Sequence, residues 1–219
     1  MRIAYVIVGG VCALALFQSE VAAYTLLSFG ESHPVPLCTG LVAPALEAKA
    51  AYAFDVRTGK SIIDVNADAS LPLASITKLM TAYVARETLG RGAQDEIDAM
   101  LIASSNETAT ELRKKSEASS PDPQFIDRMN AAAERFGFTT FSFLNETGLD
   151  VSSTTAGAYG SARDVARFAA MLGSSYPELV ERSVRADLET AHNTSLLAAT
   201  LPGARVSKTG FTDLAGGNL

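Results

Sequence analysis

Two residues that could do chemistry together, Ser75 and Lys78, stand at the head of an apolar stripe made by Ile76, Leu79, Met80, Tyr83 and Val84. That spacing predicts a helix buried along one side, with Ser75 at its start and Gly90 near its end. Residues three apart on a helix are neighbours, which brings the Lys78 amine within about 4 Å of the Ser75 hydroxyl. A serine hydroxyl becomes a good nucleophile when a base takes its proton, and a lysine can act as that base where burial or a nearby cation keeps it neutral. The first N–H groups of such a helix also suit an oxyanion. A serine helix cap followed by a solvated lysine explains most pairs of this kind. Two further groups weigh against that explanation here: Ser104-Ser105-Asn106 and Lys208-Thr209-Gly210 follow in order, adding hydroxyl, amide and amine groups.

The elements that must position these groups are legible around them. Tyr52, Phe54 and Val56, then Arg57-Thr58-Gly59-Lys60, then Ile62, Ile63 and Val65 read as a β-hairpin that packs against the Ser75 helix. Asp95 to Ala103 is a short helix delivering the chain into Ser104-Ser105-Asn106, and Glu107 to Lys115 is the next. Asp122-Pro123 begins a core helix with Phe125, Ile126, Met129, Ala133 and Phe136, ended by Gly137. Phe141 to Leu144 is a short strand leading into the turn-rich Asn145-Glu146-Thr147-Gly148-Leu149-Asp150, read as structural. Ser161-Ala162-Arg163-Asp164 is a capping box for a helix closed at Gly173. Past His192-Asn193-Thr194-Ser195, Arg205 to Gly210 reads as a strand along a cleft, where Gly210 lets a ligand approach the backbone.

At 219 residues and 47% apolar content the chain suits one two-lobed domain, and its net charge of −6, without a basic run, argues against a nucleic-acid partner. Arg2, the apolar Ile3 to Phe17 and Val21-Ala22-Ala23 read as a signal peptide over residues 1–23, followed by a proline-bearing linker over 24–50 and a catalytic domain over 51–219. An uncleaved leader would instead associate the protein with the membrane. Export to a periplasmic or extracellular space follows from either reading. His33 and His192 make neither a metal site nor a serine triad, and no cofactor is expected. Gly203 to Thr209 lacks the glycine that a phosphate loop needs before its lysine.

From about Ala51 onward the sequence resembles the D-alanyl-D-alanine carboxypeptidases, low-molecular-mass penicillin-binding proteins of the serine β-lactamase/DD-peptidase superfamily. The resemblance is carried by PLASITKLMTA, LIASSNETA, FIDRMNAAAERFGF, FLNETGLD, SARDVARFA and KTGFTDLAGGNL, in that order. It implies an α+β fold, a helical lobe packed on an antiparallel sheet, and removal of the terminal D-alanine from peptidoglycan stem peptides through an acyl-enzyme that β-lactams also form. It further implies Ser75 as nucleophile, Lys78 as its proton acceptor, Ser104 as proton relay to the leaving D-alanine and Asn106 as holder of the substrate amide. Lys208 would lend positive charge and favour a neutral Lys78, Thr209 would bind the terminal carboxylate, and Gly210 and Phe211 would line the strand, with the N–H groups of Ser75 and Phe211 as oxyanion hole.

Two departures from the family pattern set further expectations. Ser75 and Ser104 are 29 positions apart, closer than the family usually has them, and the sequence stops at Leu219 where the family continues into strands that flank the K-T-G strand. The sheet is therefore expected to be incomplete, and the Lys208 strand to be displaced from Ser75 or poorly ordered. A β-lactamase and an inactive, truncated peptidoglycan-binding relative are the competing functions. The first needs a deacylating base, and Glu189, four residues before Asn193, lies too close to K-T-G to resemble one.

Overall fold

The computed structural model describes residues 3–8, 46–120, 124–185, 187–188, 191–195 and 198–219. In chain order the elements are β1 (Ile3–Val8), β2 (Ala50–Asp55), β3 (Ser61–Val65), β4 (Leu71–Pro72), α1 (Lys78–Leu89), α2 (Gln94–Ala103), α3 (Asn106–Ser119), α4 (Phe125–Arg135), β5 (Ser142–Phe143) and β6 (Ala158–Gly160). They continue through α5 (Ala162–Ser175), α6 (Pro177–Val180), β7 (Asp187–Leu188), β8 (Ala191–His192), β9 (Gly210–Thr212) and β10 (Gly216–Asn218). The result is the expected α+β arrangement, a helical lobe with small antiparallel sheets.

The helical lobe is built around α1. Every residue from Lys78 to Ala85 is buried, so this helix is enclosed on all sides rather than along the single face that its periodicity suggested. The physical reason is the small residues Thr81, Ala82 and Ala85 on its second face, which let α2, α3, α4 and α6 close around it. An aromatic cluster of Tyr83, Phe136, Phe138, Phe141, Phe168 and Tyr176 fills the space beside it, with ring centroids 5.2 to 6.5 Å apart. Asp122-Pro123 falls outside the described residues, and α4 begins at Phe125 with Gln124 as its cap.

β2 and β3 form the predicted hairpin, with Ala51 opposite Val65 and a bulge between Ala53 and Phe54. β2 is buried along its whole length: Tyr52 and Phe54 join the main core, while Ala51 and Ala53 pack with Ile63 in a second small cluster. On its other edge β2 pairs with β1, from Ile3 opposite Asp55 to Val8 opposite Ala50, so the stretch read as a leader carries a strand. Cys12, His33 and Cys38, like the rest of 9–45, fall outside the described residues.

Two boundaries differ from expectation. α5 runs past Gly173 to Ser175, and its cap is only half a capping box: Ser161 Oγ accepts from Asp164 N at 3.1 Å, but Asp164 accepts from Thr140 N and Oγ1 instead of reaching back. Of the strand foreseen through Arg205–Gly210 only Gly210 is in a strand, the first residue of β9, which pairs with β10 through Phe211 opposite Gly217. Residues 205–209 are held by side-chain contacts instead.

Candidate active site

Ser75 lies in a 3-10 turn, Ala74–Thr77, that runs directly into α1, so Lys78 rather than Ser75 is the first α-helical residue. The turn is entered through Ala74 with a φ of 47°, a left-handed conformation that is unfavourable for alanine and aims the next residue out of the regular helical path. Ala74 is only 1% exposed, and Leu73 N donates to Ala158 O at 3.0 Å, so surrounding packing holds the turn.

Lys78 is completely buried. Its amine donates to Ser75 Oγ at 2.8 Å, Asn106 Oδ1 at 2.7 Å and the Thr147 carbonyl at 3.0 Å. Burial lowers its pKa to about 8, against an opposing pull from the Glu146 carboxylate. In the neutral amine, two N–H groups suffice for Asn106 and Thr147, which leaves the lone pair to face the Ser75 hydroxyl. Glu146 is itself buried; although burial alone would raise its pKa, hydrogen bonds from its own backbone N–H and Thr110, with the charge of Arg113, hold it below the ordinary carboxylate range.

Ser104, Ser105 and Asn106 join α2 to α3. Ser104 ends α2 with a φ of 56°, Ser105 caps α3 by accepting from Thr108 N at 3.0 Å, and Asn106 is thereby turned toward Lys78. On the opposite wall Lys208 is 4% exposed and donates to Ser104 Oγ at 2.8 Å and to the Thr209 carbonyl at 2.7 Å. Lys208 is therefore seated in the site and not displaced, contrary to the expectation drawn from missing strands. Ser183 Oγ accepts from Ser207 N at 3.0 Å, the Thr194 and Thr209 hydroxyls meet at 2.5 Å, and Asn218 Nδ2 donates to Pro72 O at 3.1 Å. These side-chain ties replace ladder hydrogen bonds.

Burial, and then the charge on Lys78, pushes Lys208 well below the ordinary lysine range. Gly210 packs so closely that a Cβ there would lie 2.9 Å from Ser75 N and 3.2 Å from Leu73 O. Phe211 is 73% exposed.

The structure thus brings Ser75, Lys78 and Asn106 into one hydrogen-bonded group and joins Ser104 to Lys208, with Thr209, Gly210 and Phe211 on the adjoining wall. Sequence reasoning passed over the Asn145–Asp150 loop as merely structural. It supplies the Thr147 carbonyl and the Glu146 charge to Lys78, and it is knotted by Asn145 Oδ1, which accepts from Thr147 N and Oγ1 and from Gly148 N. The signal was its run of turn-forming residues with a glycine: at Gly148, φ is +78° and a Cβ would fall 1.8 Å from Ala74 O. Glu189 lies outside the described residues. Among the described residues no His, Cys, Asp and Glu cluster could hold a metal, and no helix is long and apolar enough to cross a membrane.

A buried lysine on a serine one turn earlier, faced by a second hydroxyl–lysine pair, Ser104 with Lys208, sits here in a fold shared with penicillin-binding proteins. Penicillin-binding protein D2 from Listeria monocytogenes, solved in its ampicillin-bound form, superposes with a TM-score of 0.70 at 26% identity, over 79% of this chain and 82% of that one. The sequence model of the Peptidase S11 family, described as D-alanyl-D-alanine carboxypeptidase, matches residues 39–120 and 93–219, and the chain belongs to that family. It is 27% identical to the D-alanyl-D-alanine carboxypeptidase DacF of Bacillus subtilis, over 77% of this chain and 52% of that protein. It is also 27% identical to DacC of Escherichia coli, over 81% of this chain and 53% of that protein. The chain thus spans about half the length of these curated relatives.

Proposed function

We propose that this protein is a penicillin-binding serine D-Ala-D-Ala carboxypeptidase that acts on peptidoglycan stem peptides. The observation that carries the reading is the fully buried Lys78 amine 2.8 Å from Ser75 Oγ, its pKa brought to about 8. Neutral Lys78 takes the Ser75 proton as Oγ attacks the carbonyl of the penultimate D-alanine. The oxyanion forms against the backbone N–H groups of Ser75 and Phe211, and its collapse breaks the C–N bond. Ser104, bonded to Lys208, passes a proton to the departing amine. Asn106 holds the substrate amide, and Thr209 with Lys208 receives the terminal carboxylate. Water then hydrolyses the ester and returns Ser75. A β-lactam enters by the same attack, its ring amide standing in for the scissile peptide bond.

The relatives' activities and the apolar N-terminal stretch Ile3 to Phe17 support an exported enzyme at the cell wall, held at the membrane if its leader is retained. The test is covalent labelling with a fluorescent penicillin, alongside D-alanine release from a peptide ending in D-Ala-D-Ala. Wild-type protein takes label at Ser75 and releases D-alanine, and Ser75→Ala does neither. Equal labelling of the two proteins would sink the assignment, and labelling without D-alanine release would leave a penicillin-binding relative that does not turn over.

A further inference from the structure

The wall that carries Phe211 lacks the support a central strand enjoys: among the described residues β9 pairs only with β10. Yet it stands against the Ser75 turn closely enough to require glycine at Gly210. A half-buried carboxylate from another part of the chain closes that gap. Asp150 Oδ1 accepts from Thr212 Oγ1 at 3.0 Å, and Asp150 Oδ2 accepts from the Leu214 N–H at 3.2 Å. Thr212 Oγ1 accepts in turn from Ala215 N at 3.2 Å, which fixes the turn between β9 and β10. Both carboxylate oxygens are engaged, and every partner lies within four residues of Phe211.

The other end of the Asp150 loop reaches the nucleophile. Thr147, three residues earlier, receives Lys78 through its carbonyl, and Gly148 lies flush on the Ala74 carbonyl, next to Ser75. One short loop therefore touches the base, the turn bearing the nucleophile and the strand across the cleft. We propose that Asp150 is a positioning residue that sets the distance between the two walls, so that the Phe211 N–H stands where an oxyanion on the Ser75 adduct will form. Asp150 touches no reacting atom; it acts through Thr212 and Leu214. The inference rests on the acylating function proposed above. Its mechanism is geometric: a misplacement of about 1 Å at such a site costs on the order of 100-fold in rate, and loss of one oxyanion donor about 100- to 1,000-fold.

The test compares wild type, Asp150→Ala and Asp150→Asn by two readouts. The first is the rate of acylation by fluorescent penicillin, normalised to folded protein by thermal unfolding. The second is amide hydrogen exchange across residues 210–215. Asp150→Ala is expected to acylate about 10- to 1,000-fold more slowly per folded molecule, with faster exchange confined to 210–215. Asp150→Asn, which keeps one acceptor oxygen but sets an N–H against Leu214 N–H or Thr212, is expected to fall between the two. Wild-type acylation in Asp150→Ala, or unchanged exchange at 210–215, overturns the latch, as does a rate loss fully explained by loss of folded protein. Should wild type itself take no label, the proposed function fails, while the exchange comparison still decides whether Asp150 holds the β9–β10 turn.

Discussion

The two walls of the site are held by different physics. The helical wall presents Ser75, Lys78, Ser104 and Asn106 from a 3-10 turn, a helix start and a helix–helix connector, all anchored in the main apolar core. Its key distance follows from helix geometry, since residues three apart meet whatever lies beyond the helix. The strand wall, from Arg205 to Leu214, has among the described residues one strand partner and a set of isolated ties: Ser183 on Ser207, Thr194 on Thr209, Ser104 on Lys208, and Asp150 on Thr212 and Leu214. The first wall is fixed by burial, which is cooperative. The second is fixed by individual hydrogen bonds, each worth about 0.5–1.5 kcal/mol, and should be adjustable by single substitutions.

The largest effect that would break this comparison lies in the helical wall. Lys78→Ala should slow acylation by about 100- to 10,000-fold, the usual worth of a general base, with some loss of thermal stability from the cavity and from Asn106 Oδ1 and the Thr147 carbonyl left without their donor. Stopped-flow acylation and a melting curve check both halves of that statement. A rate loss no greater than the loss of folded protein would mean that Lys78 is chiefly a structural bond to Asn106 and Thr147.

On the strand wall, Gly210→Ala places a methyl group against Ser75 N and Leu73 O. These neighbours are backbone atoms and the Ala74 Cβ, which cannot swing aside, so β9 and the Ser75 turn must part. A rate loss of about 100-fold is expected, at near-normal stability, from progress curves and calorimetry on the same sample. If stability collapses instead, the strand wall is as firmly built as the helical one.

The smallest predicted effect sharpens the electrostatics. With the Lys78 pKa at about 8, the acylation rate should rise roughly tenfold per pH unit at lower pH and level off above that value. Glu146 is the charge that keeps this pKa from falling further, so Glu146→Gln should move the midpoint down and speed acylation at pH 7. The stability counterpart has a definite sign. The folded-state pKa is below the unfolded lysine value of 10.5, so the unfolded chain binds more protons between about pH 8 and 10.5, and stability from this group rises with pH through that window. A profile that is flat between pH 6 and 9 would remove Lys78 as the base.

The sequence by itself determined the local chemistry. Apolar periodicity placed α1 and α4, the turn residues placed the β2–β3 hairpin, and the three-residue interval put the Lys78 amine on the Ser75 hydroxyl. These rest on interactions within a few residues, which a linear reading can see. Tertiary structure decided what depends on distant neighbours. Whether Lys78 is buried turned on small residues that let four helices close around α1. The order of the Lys208 segment turned on Ser104, Ser183, Asp150 and Thr194, which are far from it in sequence. The loop read as plain connection became the bridge between the walls because Gly148 and Asp150 meet the Ser75 turn and the Thr212 turn only after the chain has folded. Long-range contacts of single side chains leave no periodic trace in a sequence, and here they set the geometry of half the site.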